Sequence, residues 1–130
     1  TILHGTEAVL ATTESSVPWT TIMIRKSFGV AAAAHYGPDG YVLAWPSAES
    51  GPLPLEGGVA VAFKKEIAEA KDPEAKRKEL EEKMAKNQNP FPRAEAFSVH
   101  EIIDPRETRK YISLWAERIQ SQLRANLVNR

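Results

Sequence analysis

TTIMIRKSFGVAAAA, residues 20–34, joins a β-branched and apolar run to a run of small apolar residues through Gly29. Residues 20–24 are β-branched or apolar and predict a short buried strand. Residues 25–29 (RKSFG) read as a turn, and the small apolar residues 30–34 read as the start of a closely packed helix. A strand that runs through Gly29 into a helix leaves the first helical amides without carbonyl partners. Such amides point outward and can stabilise negative charge as it develops on a carbonyl oxygen. Many strand-to-helix turns share this form, so the junction by itself does not single out a reaction.

Upstream, residues 2–16 predict a helix with Leu3 and Leu10 on one face and Val9 beside it. Pro18 ends it, because the residue before a proline disfavours the helical region. Downstream, HYGPDG (35–40) is a loop with strong turn chemistry, and YVLAW (41–45) is a second strand. Residues 46–58 read as irregular and 58–70 as a helix. Asp72 and Pro73 then supply an N-cap and a first helical residue. The charged helix that follows offers Glu74/Lys78, Glu79/Lys83 and Glu82/Lys86 at the favoured i,i+4 spacing. Its apolar stripe is thin, essentially Ala75, Leu80 and Met84, which predicts a solvated outer helix. Residues 87–93 (NQNPFPR) break it, and 99–103 is a short strand. Asp104, Pro105 and Glu107 form a capping-box-like start for a final helix. Ile112, Trp115, Ile119, Leu123 and Leu127 mark its buried face. Strands alternating with helices predict an α/β layered architecture with too few strands for a self-contained large sheet.

A chain of 130 residues fits one domain on a prior of roughly 100–200 residues each. Lys+Arg and Asp+Glu both number 17, so the formal net charge is zero and gives no electrostatic footprint for nucleic acid or an anionic membrane. The cluster Lys76-Arg77-Lys78 is neutralised by neighbouring glutamates. The absence of cysteine excludes thiol catalysis, cysteine metal sites and disulfides. No apolar run approaches the ~20 residues of a membrane span, and no leader is visible, which fits a cytoplasmic protein. The chain begins without Met, as a processed or excised segment would. Thr1 could serve as an N-terminal nucleophile, although trimming alone explains a terminal threonine. No nucleophile elbow, phosphate loop, zinc spacing or dinucleotide fingerprint is present. His4, His35 and His100 lie far apart and read as structural or surface residues. Glu49 and Glu56 flank a Pro/Gly-rich loop and could do acid–base work as a pair, though loop solvation accounts for them equally.

A further set of words runs in order along the chain: LHGTEAVLATTESSVP (3–18), TIMIRKSFG (21–29), VLAWPSAE (42–49), EGG (56–58), VAFKKEI (61–67) and IIDPRETR (102–109). In order and spacing the chain resembles the carboxyltransferase subunits of propionyl-CoA, acetyl-CoA and methylmalonyl-CoA carboxylases. RKSFG (family form RKAYGG) and AWPSAE (44–49) are specific in combination. The resemblance implies a crotonase-type α/β fold, a ββα spiral. It places residues 1–130 in the C-terminal carboxyltransferase domain, without that domain's first strands and without the N domain. It implies an active site between the N domain of one subunit, which holds the acyl-CoA, and the C domain of another, which receives carboxybiotin.

By position, the amides of Val30 and Ala31, just after Gly29, would form the oxyanion hole facing the biotin ureido oxygen. Ala33 matches a position associated with acyl-chain preference, and Phe28 is carried over as a substrate contact. Val30 stands where the family has a second glycine, and alanines replace the polar or aromatic residues usual after it. The implied cofactor is biotin, carried on a partner, with an acyl-CoA as substrate and no metal in this chain. The implied partners are a carboxyltransferase N-domain region, a biotin carboxyl carrier protein, a biotin carboxylase and sister subunits of a homo- or hetero-oligomer. Two other readings share these residues: a CoA-ester decarboxylase or other acyl-CoA enzyme without biotin, motivated by Val30, and a non-catalytic assembly subunit.

Overall fold

The computed structural model describes residues 2–37 and 40–128, with the side chains of residues 2, 56, 122 and 126–128 excepted. Thr1 and Pro38-Asp39 of the 35–40 loop therefore lie outside the described residues. Its centre is β3 (Tyr41–Ala44), whose Val42, Leu43 and Ala44 are all buried. On one side β3 pairs in parallel with β1 (Thr20–Met23), from Thr20↔Tyr41 to Met23↔Ala44. On the other it pairs in parallel with β5 (Glu101–Ile102), Leu43↔Glu101 and Ala44↔Ile102. The apolar run VLA suits a strand covered on both faces, as parallel sheets require. Full burial of Leu43, 0% exposed, is worth about 1.5–3 kcal/mol. Val42 and Ala44 point to the opposite face of β3 from Leu43 and cluster there with Met23, Ala48 and Val99, with Tyr36, Ala94 and Ile102 packed against them.

The segment 25–29 is not a turn. Lys26–Phe28 forms a strand, β2, and pairs in parallel with β4 (Glu49–Gly51) in a second sheet. Both segments, read above as turn and irregular chain, are three residues long and carry no period-2 pattern, so only the pairing in space reveals them. The first two turns of the chain therefore each give one strand to each sheet and then a helix, and the third gives β5 to the first sheet before α7 (Thr108–Arg118). β1 and β2 are followed by α2 (Gly29–Ala33), and β3 and β4 by α3 (Leu55–Ala62). This is the ββα spiral expected of the chain.

The helices differ from expectation in their boundaries. α1 (Ile2–Thr13) ends short of residue 16, and Leu3 and Leu10 are 68% and 55% exposed. The 58–70 helix begins earlier, at Leu55 after Pro54, and Phe63 (φ −115°, ψ 24°) divides it into α3 and α4 (Lys64–Ala68). α5 (Pro73–Gln88) is capped by the Asp72 side chain as predicted, and Leu80 is buried while Ala75 is exposed. Its ion pairs are not the expected ones: Lys76 bridges Glu66 and Glu79, and Arg77 meets Glu81. The break at 87–93 is instead a new helix, α6 (Pro90–Glu95), because Asn89 caps it and its prolines fall in the first turn, where no amide is needed.

Asp104 caps the C-terminal region and binds Arg106. Glu107 does not complete a capping box, since its carboxylate pairs with Lys110. A 3-10 turn (Pro105–Glu107) leads into α7 (Thr108–Arg118), and a break at Ile119 precedes α8 (Gln120–Val128). The face expected to be buried is only half covered: Ile112 is 39% exposed, and Trp115, Ile119 and Leu123 are intermediate. Leu127's side chain is outside the described set. Trp45 Nε1 donates to Thr108 Oγ1 at 2.9 Å and fixes the start of α7 to the end of β3.

At the head of β3 the Tyr41 hydroxyl donates to Glu101 of β5. Burial, and then this carboxylate, push the Tyr41 phenol up to about 12. Glu101 raises Tyr111 as well. The phenol of Tyr41 is neutral in the fold, so its contribution is complete below the ordinary tyrosine range and is lost as pH rises through about 12. In an ultraviolet titration, Glu101→Gln should move the Tyr41 transition down, though not to the free-tyrosine value, because burial remains. An unchanged curve would remove Glu101 as a cause. A second prediction concerns Phe97, which follows α6 at φ 56° and is 89% exposed. A bulky residue in the left-handed region is strained by roughly 1–2 kcal/mol. Phe97→Gly should therefore raise the thermal midpoint by a few degrees, and a lowered midpoint would show that the ring holds the turn.

Candidate functional site

β2 is held to β4 through Phe28, which pairs with Gly51 and is extended at φ −126°, ψ 148°. The next residue, Gly29, has φ +73°, and α2 begins there. A Cβ on Gly29 would meet only Pro52 O, at an ordinary 3.7 Å, so the backbone conformation rather than space demands glycine. Within α2 the amides of Val30 and Ala31 fall in the first turn, where no helix carbonyl precedes them. Phe28 offers no side-chain cap, and among the described residues none of the turn and loop hydrogen bonds uses these amides.

The segment after α2 is anchored to β1. The His35 carbonyl accepts from Trp19 Nε1 at 2.8 Å and from Thr21 Oγ1 at 2.5 Å. The Tyr36 hydroxyl lies 3.3 Å from Ser27 Oγ and contacts Met23 Sδ at 3.5 Å. These bonds fix α2 against the sheet, so its free amides are held in place before anything binds.

Val30 and Ala31 line one wall of a cleft of about 610 Å³, with Ala34 and His35 beside them. The opposite wall is α1, through Gly5, Ala8, Val9 and Thr12. The lining is mostly apolar, and among the described residues His35 is its one titratable side chain. A smaller hollow of about 130 Å³ shares Val9, Thr12, Val30 and Ala34 with it and adds Ala33. Of the residues singled out in the sequence, Val30, Ala31 and Ala33 thus come together, with Gly29 setting their geometry. Phe28 lines neither space; its ring edge lies over Gly51.

The other candidates are placed elsewhere. His4 is exposed and paired with Glu7 at 3.0 Å. His100 Nδ1 accepts from the Val42 amide at 3.0 Å and its ring packs on Tyr41. Glu49 is exposed in register with Lys26, and the Glu56 side chain is outside the described set. The wall formed by α1 was missed in the sequence, although Gly5 inside a helical segment is a signal: a helix-interior glycine needs a reason.

The model of the carboxyl transferase domain family matches residues 1–130. The chain is 38% identical over 116 residues to the methylmalonyl-CoA carboxyltransferase 12S subunit of Propionibacterium freudenreichii subsp. shermanii, covering 86% of this chain and 22% of that protein. It is 37% identical over 116 residues to the methylmalonyl-CoA decarboxylase subunit alpha of Propionigenium modestum, covering 85% and 22%. It superposes with a TM-score of 0.80 and 36% identity on the crystal structure of transcarboxylase 12S, a hexamer assembly with methylmalonyl-coenzyme A bound, over 92% of this chain and 24% of that one. The chain therefore spans less than a quarter of the length of these relatives.

Proposed function

The chain belongs to the carboxyl transferase domain family, and from that premise we propose that it forms part of an acyl-CoA carboxyltransferase and contributes the oxyanion hole on the carboxybiotin side. The observation that carries this is the pair of first-turn amides, Val30 and Ala31, which have no partner among the described residues, follow Gly29 and border a mostly apolar cleft. Two fixed N–H donors fit a neutral ring urea oxygen, and among the described residues no lysine or arginine lines the cleft. When bound, carboxybiotin supplies the carboxyl group that replaces a proton on the acyl-CoA α-carbon.

The chain's own work is electrostatic. The Val30 and Ala31 amides donate to the oxygen on which charge gathers, and the apolar walls keep competing water away and strengthen those bonds. Trp19, Thr21 and Tyr36 hold the donors still. Ala33 borders the adjoining hollow, which suits a role in acyl-chain preference.

The chain acts as a C-terminal carboxyltransferase domain that needs an N-domain region to supply the acyl-CoA. β1 and β2 stand at the ends of their sheets, which supports further strands of the same spiral pairing there. A biotin carrier protein, a biotin carboxylase and sister subunits complete the proposed assembly. A second reading has a specific motive: the relative named as a decarboxylase alpha subunit is nearly as similar as the one named as a carboxyltransferase. There the same amides would serve loss, rather than transfer, of the carboxyl group.

The test is Val30→Pro in the assembled enzyme. Proline is tolerated in the first helical turn, and it deletes one donor without adding a functional group. The thermal midpoint should stay within a few degrees while the turnover of carboxyl transfer falls by roughly 10²–10³, the usual effect of losing one oxyanion-hole donor. Turnover equal to wild type would overturn the assignment. Release of CO₂ from acyl-CoA without carboxylated acceptor would favour the decarboxylase.

A further inference from the structure

Where α5 meets α6, a cavity of about 380 Å³ opens beside β4, and it shares no lining residue with the cleft beside α1. Gln88, the last residue of α5, lines it and is 5% exposed. Its Nε2 donates to Leu53 O at 2.9 Å. That bond fixes which end of the carboxamide is nitrogen, since a flipped amide would set two acceptors against each other. The oxygen, Oε1, is then buried with no hydrogen-bond partner among the described residues. A buried acceptor is normally paired, so one left over points to a donor from outside the chain.

The second polar group is Arg93 of α6, which is half-buried. Its carbonyl accepts from Ser98 N and Ser98 Oγ, both at 2.9 Å, so its backbone is held. Its Nη1 donates to Ser50 Oγ at 2.9 Å, and among the described residues it forms no ion pair. Ser50, 2% exposed, and Gly51 are consecutive in β4. A Cβ on Gly51 would lie 3.7 Å from Gln88 Nε2. The cation and the amide therefore flank the same two residues of one strand. The N–H groups of Arg93 that Ser50 does not take form a fork that matches a carboxylate. Met84, Pro52, Pro92 and Ala96 make the rest of the lining largely apolar.

We infer that this cavity is a binding site for a small 2-hydroxycarboxylate with a short apolar chain. The carboxylate sits on the Arg93 fork, the hydroxyl donates to Gln88 Oε1, and the chain lies against Met84 and Pro92. A neutral ligand would leave the guanidinium without its counter-charge. An amino acid would set its ammonium near Arg93, and among the described residues no carboxylate side chain lines the cavity to offset it. A plain carboxylate would leave Oε1 unpaired. The site stands whether or not the chain takes part in carboxyl transfer.

The experiment is isothermal titration calorimetry on the full assembled protein with 2-hydroxy-4-methylpentanoate and 4-methylpentanoate, which differ by the hydroxyl alone. Wild type should bind the hydroxy acid, and the plain acid at least roughly tenfold more weakly, the effect of leaving a buried acceptor unpaired. Arg93→Gln should weaken the hydroxy acid at least roughly tenfold, by removing the counter-charge. Gln88→Met, similar in volume but without the acceptor, should bind the two acids within about twofold of each other. Near-ultraviolet circular dichroism checks that both variants keep the fold. Where Gln88→Met does not fold, the ratio of the two acids on wild type and the loss in Arg93→Gln decide the matter. Wild type that binds neither acid, or both equally, overturns the inference. Unchanged affinity in Arg93→Gln also overturns it, by placing the acid elsewhere on the protein.

Discussion

The left-handed backbone at Gly29 (φ +73°) is the constraint on which the candidate site depends. Phe28 arrives extended from β2, and the chain must reverse into α2 at once. A residue with a Cβ resists that conformation by roughly 1–2 kcal/mol. Because the reversal is abrupt and Phe28 brings no capping side chain, the Val30 and Ala31 amides have no partner among the described residues. The same turn directs Val30 and Ala31 to the cleft beside α1. The side chain of Val30, 73% exposed, does not alter this, since a backbone donor survives the replacement of a glycine by valine.

Holding such a turn requires a rigid base, and β3 provides it. Its Val42, Leu43 and Ala44 are buried between β1 and β5, and its ends are pinned on both sides: Tyr41 to Glu101 at the head, Trp45 to Thr108 at the foot. From this strand the order passes outward through β1, and then through Trp19, Thr21 and Tyr36 to the segment that follows α2. The helices beyond are less enclosed. α1 and α7 carry leucine and isoleucine side chains between 39% and 68% exposed, including Leu3, Leu10, Ile112 and Leu114. Such faces fit elements of a larger assembly, whereas the sheet and α2 hold their shape from within.

β3 was legible in the sequence because burial writes itself as the apolar run VLA, and β1 because of its β-branched run, although β1 is buried only at Met23 and Ile24 beyond it is 53% exposed. β2 and β4 were not, since three residues each, with Lys26 and Glu49 at their starts, carry no pattern until they meet. The Asp72 and Asp104 caps were legible because a capping side chain acts on its own neighbours. The α6 helix was hidden by Pro90 and Pro92, whose effect reverses between a helix's interior and its first turn. Of the site, the Gly29 junction and its two amides could be read, and the resemblance gave them a partner. The wall across the cleft could not, because residues 5–12 approach residues 30–35 only in three dimensions.

The most direct measurement of whether the Val30 and Ala31 amides are the donors for the carboxyl-carrying ring is a crystal structure of the assembled enzyme with biotin bound. The ring carbonyl oxygen is expected within about 2.7–3.2 Å of both amide nitrogens, with the ring lying between α2 and α1. A ring bound elsewhere, or amides of Val30 and Ala31 already bonded to another part of the protein, would contradict it.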